Sequence, residues 1–341
     1  MNTINNNNTH TVNKNTIDNT DAYQYDKYFF SLLPDEITQY LDQGPNQLSQ
    51  CRYFRGSLTN EHVQKIAVRS LLRLRQDFEC GIIRSYEEGQ PKDIEALINT
   101  NDPLSTKDLA KLRAYMIARD KLTIWKFLAT SLMLPSPITE QDWANFSLDS
   151  NSVIQFATGF EGWCKDNESS LLKINQLLLS SRGLTSLPDE LRALKNLTNL
   201  NLNSNNFTFF PKIINKFKIL DKLAFFNNSY LNTISTEINL SNLTSITLKS
   251  CNFDHFPSHI LKSKFLNYLN LSENKLEYIP PQISDLDSLT DLNLSHNDLS
   301  ELPSEIVKLE KLTSLQIINN EKLKLPKDFK WPPNLKVIPN G

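Results

Sequence analysis

The chain has 341 residues, with 36 Lys and Arg against 38 Asp and Glu, and its formal net charge is −2 at pH 7. This length allows two or more domains, and the near-neutral balance excludes the strong basic excess that nucleic-acid binders carry. No apolar run reaches the roughly 18 residues of a transmembrane helix, so we expect no membrane span.

The first segment, residues 1–20, is rich in Asn and Thr and has almost nothing apolar to bury. We predict a disordered tail there. The segment also has neither the positive charge nor the apolar stretch of a cleaved secretory signal. The four cysteines, Cys51, Cys80, Cys164 and Cys251, are scattered along the chain and are predicted to be free thiols in a reducing compartment, which favours a cytoplasmic location.

Residues 21–173 predict an all-helical domain, because apolar residues recur there every three or four positions. The longest apolar stripes run from Thr59 to Ile82 and from Ser105 to Leu128. The last predicted helix, residues 152–166, carries Phe160 and Trp163 directly before a repetitive region begins. Because the end of a stack of repeats exposes an apolar cross-section, we expect this helix to cap it.

Residues 174–341 repeat with a period of 23 residues, as seven units and a partial eighth. The units begin at Ile174, Leu197, Leu220, Leu243, Leu266, Leu289, Leu312 and Leu335. Within the sixth unit, Leu292 and Leu294 are two positions apart, so on a strand both point inward while Asp291 and Asn293 point to solvent. A unit of this size cannot bury its own apolar face, so the units are predicted to stack with their strands in one parallel sheet.

Two further positions recur in each unit. One holds Asn205, Asn228, Asn274, Asn297 and Asn320, with Cys251 in the fourth unit and Arg182 in the first. An amide there can bond to backbone groups that would otherwise be buried unpaired. The other holds Pro188, Pro211, Pro257, Pro280, Pro303 and Pro326, which predicts short helical or 3₁₀ segments on the convex side. The third unit, with Ser235 in place of proline, is irregular and predicts a local bulge.

The order L-x-x-L-x-L-x-x-N-x-L-x-x-L-P in these units resembles the leucine-rich repeat. The resemblance implies an α/β fold class: an all-helical N-terminal domain followed by a horseshoe-shaped solenoid with a parallel concave sheet. A helical domain joined to 23-residue L-P units is similar to leucine-rich-repeat effector proteins of intracellular bacteria. That similarity implies a non-enzymatic protein that binds a host protein after delivery into the host cytoplasm by a non-classical secretion route.

A second resemblance lies in residues 33–55. Leu33-Pro34-Asp35-Glu36-Ile37, followed by Cys51-Arg52-Tyr53-Phe54, resembles an F-box, the helical motif that docks a protein onto a ubiquitin-ligase adaptor. It implies an alternative function as a substrate receptor whose repeats select the target. An ordinary helical hairpin explains the same apolar residues.

Candidates for chemistry are few. Cys251, His255 and His259 have a spacing that suits zinc, but on the repeat template their side chains are expected to diverge. Cys164-Lys165-Asp166 has the C-x-D form of a family of bacterial ubiquitin ligases, whereas its position favours a cap helix. With only eight glycines and no phosphate-binding loop, we predict no catalytic residue, no cofactor and no metal.

The outward strand positions define three columns on the concave face. The first column holds Gln176, Asn199, Lys222, Ser245, Tyr268, Asp291 and Ser314. The second column holds Leu178, Asn201, Ala224, Thr247, Asn270, Asn293 and Gln316. The third column holds Ser180, Asn203, Phe226, Lys249, Ser272, Ser295 and Ile318.

Most residues of these columns are small and neutral, and a few larger ones stand out. Aromatic anchors inside a polar rim are typical of interfaces, although apolar residues scattered singly on a surface need no explanation. The predicted partner-binding residues are Lys222, Phe226, Lys249, Tyr268, Glu273, Asp291, His296 and Ile318.

Overall fold

A computed structural model describes residues 91–99, 106–139, 141–142, 146, 149–235, 237–325, 331–332 and 334–338. All of them belong to one compact unit, Leu71–Gly341. The predicted tail (1–20), the F-box-like segment (33–55) and the predicted helix from Thr59 to Ile82 lie outside the described residues. Among the described residues, no helix combines the length and the apolarity needed to cross a bilayer.

Five α-helices precede the repeats in the described part of the chain. They are α1 Lys92–Asn99, α2 Thr106–Ser131, α3 Ser150–Ala157, α4 Phe160–Asp166 and α5 Glu168–Leu171. Helix α2 corresponds to the apolar stripe predicted from Ser105 to Leu128. Its residues Leu122, Ile124 and Leu128 are buried, as the helical spacing requires.

The single helix predicted for residues 152–166 is wrong, because the structure divides it into α3 and α4. Thr158 interrupts it: its hydroxyl donates to the Gln155 carbonyl at 2.7 Å. A Cβ on Gly159 would lie only 3.1 Å from Trp125 Cη2, so the break brings the backbone directly against the Trp125 ring. Phe160 stacks on that ring with centroids 5.5 Å apart, which makes α4 part of an aromatic core.

The repeats form one sheet of eight parallel strands in sequence order, which confirms the predicted stacking. The strands are β1 Gln176–Leu178, β2 Asn199–Asn201, β3 Lys222–Ala224, β4 Ser245–Thr247, β5 Tyr268–Asn270, β6 Asp291–Asn293, β7 Ser314–Gln316 and β8 Lys336–Ile338. The last step differs from the prediction: Ser314 pairs with Lys336, and Leu315 with Val337. That spacing is one residue shorter than the period, so the final unit begins one residue before Leu335.

The apolar core runs continuously under the sheet. In the fifth unit Leu269, Leu271, Leu276, Ile279 and Ile283 are all fully buried. Each such side chain contributes about 1.5–3 kcal/mol relative to exposure. Because the partners of these side chains lie in neighbouring units, no unit is stable without the next.

The convex side carries short 3₁₀ helices, as the prolines predicted. They are Asp189–Ala193, Lys212–Lys216, Ser258–Lys262, Pro281–Asp285 and Ser304–Lys308, and each directly follows one of the recurring prolines. Between β3 and β4 the described residues contain no such helix, which agrees with the irregular third unit. There the Asn215 amide of the preceding unit bonds instead to the Glu237 carbonyl and the Asn239 N–H, both at 2.8 Å.

The recurring asparagines form a buried ladder between units. The Asn274 amide donates to the Leu248, Leu271 and Ser272 carbonyls at 2.8, 3.0 and 3.2 Å. Its oxygen accepts the Phe253 N–H at 3.1 Å. The other ladder residues repeat this pattern, and the Cys251 thiol takes the same place with the Phe225 carbonyl 3.3 Å away. Each ladder side chain thus satisfies backbone groups of two units at once.

Helix α2 is joined to the first unit by a buried carboxylate. Asp120 is fully buried, and one of its oxygens accepts from the Thr185 and Ser186 N–H groups at 3.0 and 2.8 Å. The hydroxyls of the same two residues donate to it at 2.7 and 2.9 Å. Arg119 donates to the other oxygen at 3.0 Å and to the Gly183 carbonyl at 2.9 Å.

A cation–π contact extends this joint. The Arg182 guanidinium lies 4.3 Å from the centre of the Phe127 ring. Helix α2 therefore contacts the first end of the stack, in addition to α4. The cap therefore involves more of the helical half than the predicted last helix.

Removing one ladder amide should destabilise the solenoid strongly. We expect Asn274→Ala to lower the free energy of unfolding by about 2–4 kcal/mol, because it leaves a buried N–H and buried carbonyls unpaired. Urea unfolding followed by circular dichroism measures the loss. Asn267→Ala, an exposed asparagine at the start of β5, is the matched control and should change stability by less than about 0.5 kcal/mol. Equal effects of the two substitutions would contradict the assigned role of the ladder.

Removing the buried carboxylate of Asp120 should weaken the attachment of α2 to the repeats. We expect Asp120→Ala to cost about 3–5 kcal/mol, because it removes the carboxylate that pairs with Arg119 and accepts from the Thr185 and Ser186 donors. Asp287→Ala, at an exposed aspartate, should stay within about 0.5 kcal/mol of the parent in the same urea titration. A loss below about 1 kcal/mol for Asp120→Ala would show that this contact is dispensable.

Candidate functional site

The strand register places the predicted columns side by side on the concave face. Lys222 lies opposite Asn199 and Ser245, and Tyr268 lies between Ser245 and Asp291. Side chains in one column are about 4.8 Å apart along the sheet. The eight predicted residues therefore share one surface, although not all of them touch.

The centre of this surface is a chain of contacts from Phe226 to Glu273. The Lys249 ammonium lies 5.3 Å from the centre of the Phe226 ring and 3.0 Å from a Glu273 carboxylate oxygen. The Ser250 hydroxyl donates to the same carboxylate. This hydrogen bond, together with the Lys249 charge, holds the pKa of Glu273 below its ordinary value. Three units thus contribute to one preorganised charge pair beside an aromatic ring.

Glu273 and His296 owe their position to a left-handed turn at the end of each strand. The residues in this turn with positive φ are Ser181, Ser204, Asn227, Ser250, Glu273, His296 and Asn319, with φ between 51° and 57°. Glutamate rarely adopts this conformation, and the 23-residue period alone does not reveal it. The turn places these side chains along one edge of the concave columns, where His296 Nδ1 lies 3.1 Å from Asn319 Nδ2.

The apolar members of the predicted set are partly accessible. Tyr268 is 38% exposed, while Phe226 and Ile318 are half-buried. Leu178 in the second column is 52% exposed and was not among the predicted residues, although its place in that column was readable from the sequence. Lys222, Asp291 and Ile318 lie on the same face but outside the chain of contacts that joins Phe226 to Glu273.

The candidate metal ligands do not converge. His255 Nδ1 is 2.7 Å from an Asp254 carboxylate oxygen, the Cys251 thiol bonds within the ladder, and burial lowers the pKa of His259. Within the described residues, which include all three, no group of three or more His, Cys, Asp or Glu side chains could hold a metal ion.

Cys164 is buried in α4. Its burial raises the pKa of the thiol to about 12. The thiolate that C-x-D chemistry would require is therefore strongly disfavoured, and the apolar surroundings of this residue suit its position in the cap.

Comparisons with known proteins agree with the repeat geometry. The leucine rich repeat family model matches residues 241–299, and β1–β8 continue the same unit on both sides. The described repeats are therefore a leucine-rich-repeat solenoid, a fold that commonly mediates protein–protein interaction through its concave surface.

Many solved structures are similar to this chain, including one from Leptospira interrogans and one from Listeria monocytogenes. A leucine-rich-repeat protein of Leptospira interrogans shares 30% identity over 47% of this chain and 46% of its own, with a TM-score of 0.37. Internalin C2 of Listeria monocytogenes shares 19% identity over 50% of this chain and 82% of its own, with a TM-score of 0.40. This chain thus spans less than half of the Leptospira protein. A search of curated proteins gave no match.

Proposed function

We propose that this protein is a non-enzymatic binding module that engages a protein partner on the concave face of its repeats. The observation that carries the proposal is the cluster of Phe226, Lys249 and Glu273, flanked by Tyr268, on an otherwise small and neutral sheet. A few anchor residues, among which aromatic side chains are enriched, carry most of the binding energy of typical interfaces, and a fixed charge pair beside them supplies orientation. The pair is already formed in the free protein, so little ordering is required on binding.

We further propose that the partner is a host protein and that this chain is a bacterial effector delivered into the host cytoplasm. The Asn-rich start and the 23-residue L-P units after a helical domain support this, because both resemble effectors of intracellular bacteria. The repeats would then supply recognition, with no covalent change to the partner.

The concave face can be tested with matched aromatic substitutions. Proximity labelling from the full chain in host cells would identify a partner, and purified partner would then be titrated against variants. We expect Phe226→Ala and Tyr268→Ala each to weaken binding at least about fivefold, because each removes an anchor. Phe265→Ala and Tyr278→Ala are the controls, since these side chains are 64% and 48% exposed but lie outside the three columns. Equal affinity of all four variants would reject the proposed face.

A ubiquitin-ligase substrate receptor is the alternative, supported by the F-box-like order of residues 33–55. It requires residues 33–55 to bind the F-box adaptor while the repeats hold the target. If this function is correct, purified adaptor should be captured by the full chain and lost from the variant combining Leu33→Ala with Pro34→Ala. If the full chain does not capture the adaptor, or if the variant captures it equally well, the ubiquitin-ligase alternative is wrong. Neither result affects the concave-face proposal.

A further inference from the structure

The ladder has a consequence on the concave face, because it removes acceptors from the sheet. The Lys222 N–H donates to the Thr198 carbonyl at 2.9 Å. In a regular parallel sheet this bonding pattern repeats every two residues, so the Phe226 N–H would donate to the Leu202 carbonyl. That carbonyl is instead occupied by the amides of Asn205 and Asn228, both at 3.0 Å. The N–H groups of the third column therefore need other acceptors.

Concave side chains supply most of these acceptors. The Asn201 oxygen accepts the Asn203 N–H at 2.9 Å, and the Asn203 oxygen accepts the Phe226 N–H at 2.8 Å. The Asn270 and Asn293 oxygens accept the N–H groups two residues further on, at 2.9 and 3.0 Å. We call these four residues, Asn201, Asn203, Asn270 and Asn293, the amide row.

This bonding fixes which end of each amide faces the partner. Because the oxygen is engaged by the backbone, the NH₂ group is the free end, and it can only donate. Within the described residues, the NH₂ groups of Asn201 and Asn203 have no acceptor. The NH₂ group of Asn293 contacts Gln316 Oε1 at 3.1 Å and keeps a second hydrogen. Asn270 is 8% exposed and bonds to the Tyr268 hydroxyl at 3.3 Å, so it mainly positions that ring.

The Lys249 backbone N–H, in the middle of the concave face, is a donor that the described strands leave unpaired. The Phe225 carbonyl, which the Lys249 N–H would use, is taken by Asn228 and Cys251. Phe226, the preceding member of the third column, offers no acceptor. No bond to the Lys249 N–H is present in the part of the chain that the structure describes. The open donors therefore lie on or just after β2, β4 and β6, with Phe226 just after β3 and Tyr268 on β5 between them.

The spacing of these donors matches one backbone conformation. Strands lie about 4.8 Å apart, so alternate strands are separated by about 9.6 Å. A polyproline II helix rises about 3.1 Å per residue with three residues per turn, which is about 9.3 Å per turn. Proline residues present carbonyl acceptors and no N–H donors, which suits the open N–H donors of this face. Such segments are also recognised between aromatic side chains.

Charge favours a neutral ligand over an acidic one. The Lys249 charge is paired with Glu273, and the two charged residues of the first column, Lys222 and Asp291, are opposite in sign. The face therefore has no net positive charge to attract a carboxylate-rich segment, whereas backbone carbonyls need only the open N–H donors.

We propose that the Asn201, Asn203 and Asn293 amides and the Lys249 N–H bind an uncharged, proline-containing segment of the partner in the polyproline II conformation, laid across β2–β6. This inference rests on the proposed function and names the chemistry of the partner. The segment would span about four strand spacings, roughly 19 Å, and thus about six residues. Its carbonyls would accept from the donors while Phe226 and Tyr268 hold its rings.

Asparagine-to-aspartate substitutions test this directly. In Asn201→Asp and Asn293→Asp one carboxylate oxygen still accepts the backbone N–H, while the outward donor becomes an acceptor. A phage library of random 12-residue peptides would be selected on the full chain, and the best peptide titrated by calorimetry. We expect the selected peptides to be enriched in proline. Each substitution should weaken peptide binding about tenfold, because it places a carboxylate oxygen against a peptide carbonyl and neither group can donate a hydrogen bond. Thermal unfolding should confirm that both variants remain folded.

Controls separate this inference from the proposed function. Asn267→Asp adds the same charge at the start of β5, outside the columns, and should change affinity less than twofold. Peptides without proline enrichment, no selected peptide at all, or equal binding to Asn201→Asp and Asn293→Asp would each overturn the inference. If Phe226→Ala and Tyr268→Ala nevertheless weaken partner binding, the concave face remains the binding site and only its proposed chemistry is wrong.

Discussion

The structure depends on satisfying the backbone carbonyls that each short strand leaves buried where the chain turns away. Every strand has three residues, so most of the backbone of a unit lies in turns that stacking then buries. The ladder asparagines supply donors to those carbonyls and join each unit to its neighbour. Because one amide bonds to the backbone of two units, the buried backbone groups are hydrogen-bonded only when those units are in register. Apolar burial then provides the driving force.

The same ladder shapes the surface that a partner would meet. By occupying carbonyls that the sheet would otherwise use, it leaves N–H groups at the third column, and the concave asparagines turn their oxygens inward to meet them. A face that looks merely small and neutral in the sequence thus has a defined hydrogen-bonding polarity. Its aromatic residues and the Lys249–Glu273 charge pair stand against that background, and function on a shared fold depends on such local features.

The sequence predicted what a strict period determines: the strands, the buried leucines, the ladder and the columns. It did not predict features that depend on contacts between distant segments. In the sequence, Asp120 is one charged residue of a long predicted helix. The Thr185 and Ser186 donors reach it only because α2 packs against the first repeat unit. In the sequence, Gly159 is a glycine within a predicted helix, and nothing there indicates that its backbone packs against the Trp125 ring. The shorter step to β8 was missed because Leu335 keeps the 23-residue period, whereas the strand pairing aligns Val337 with Leu315.

The central claim is that recognition takes place on the concave columns. Hydrogen–deuterium exchange of the full chain, alone and with its captured partner, tests this claim most directly, because exchange reports protection at every backbone amide. The account predicts slower exchange on binding in residues 199–203, 222–226, 245–249 and 268–273, and no change in the convex 3₁₀ segments. Protection confined to the convex segments, or to residues before the repeats, would contradict it.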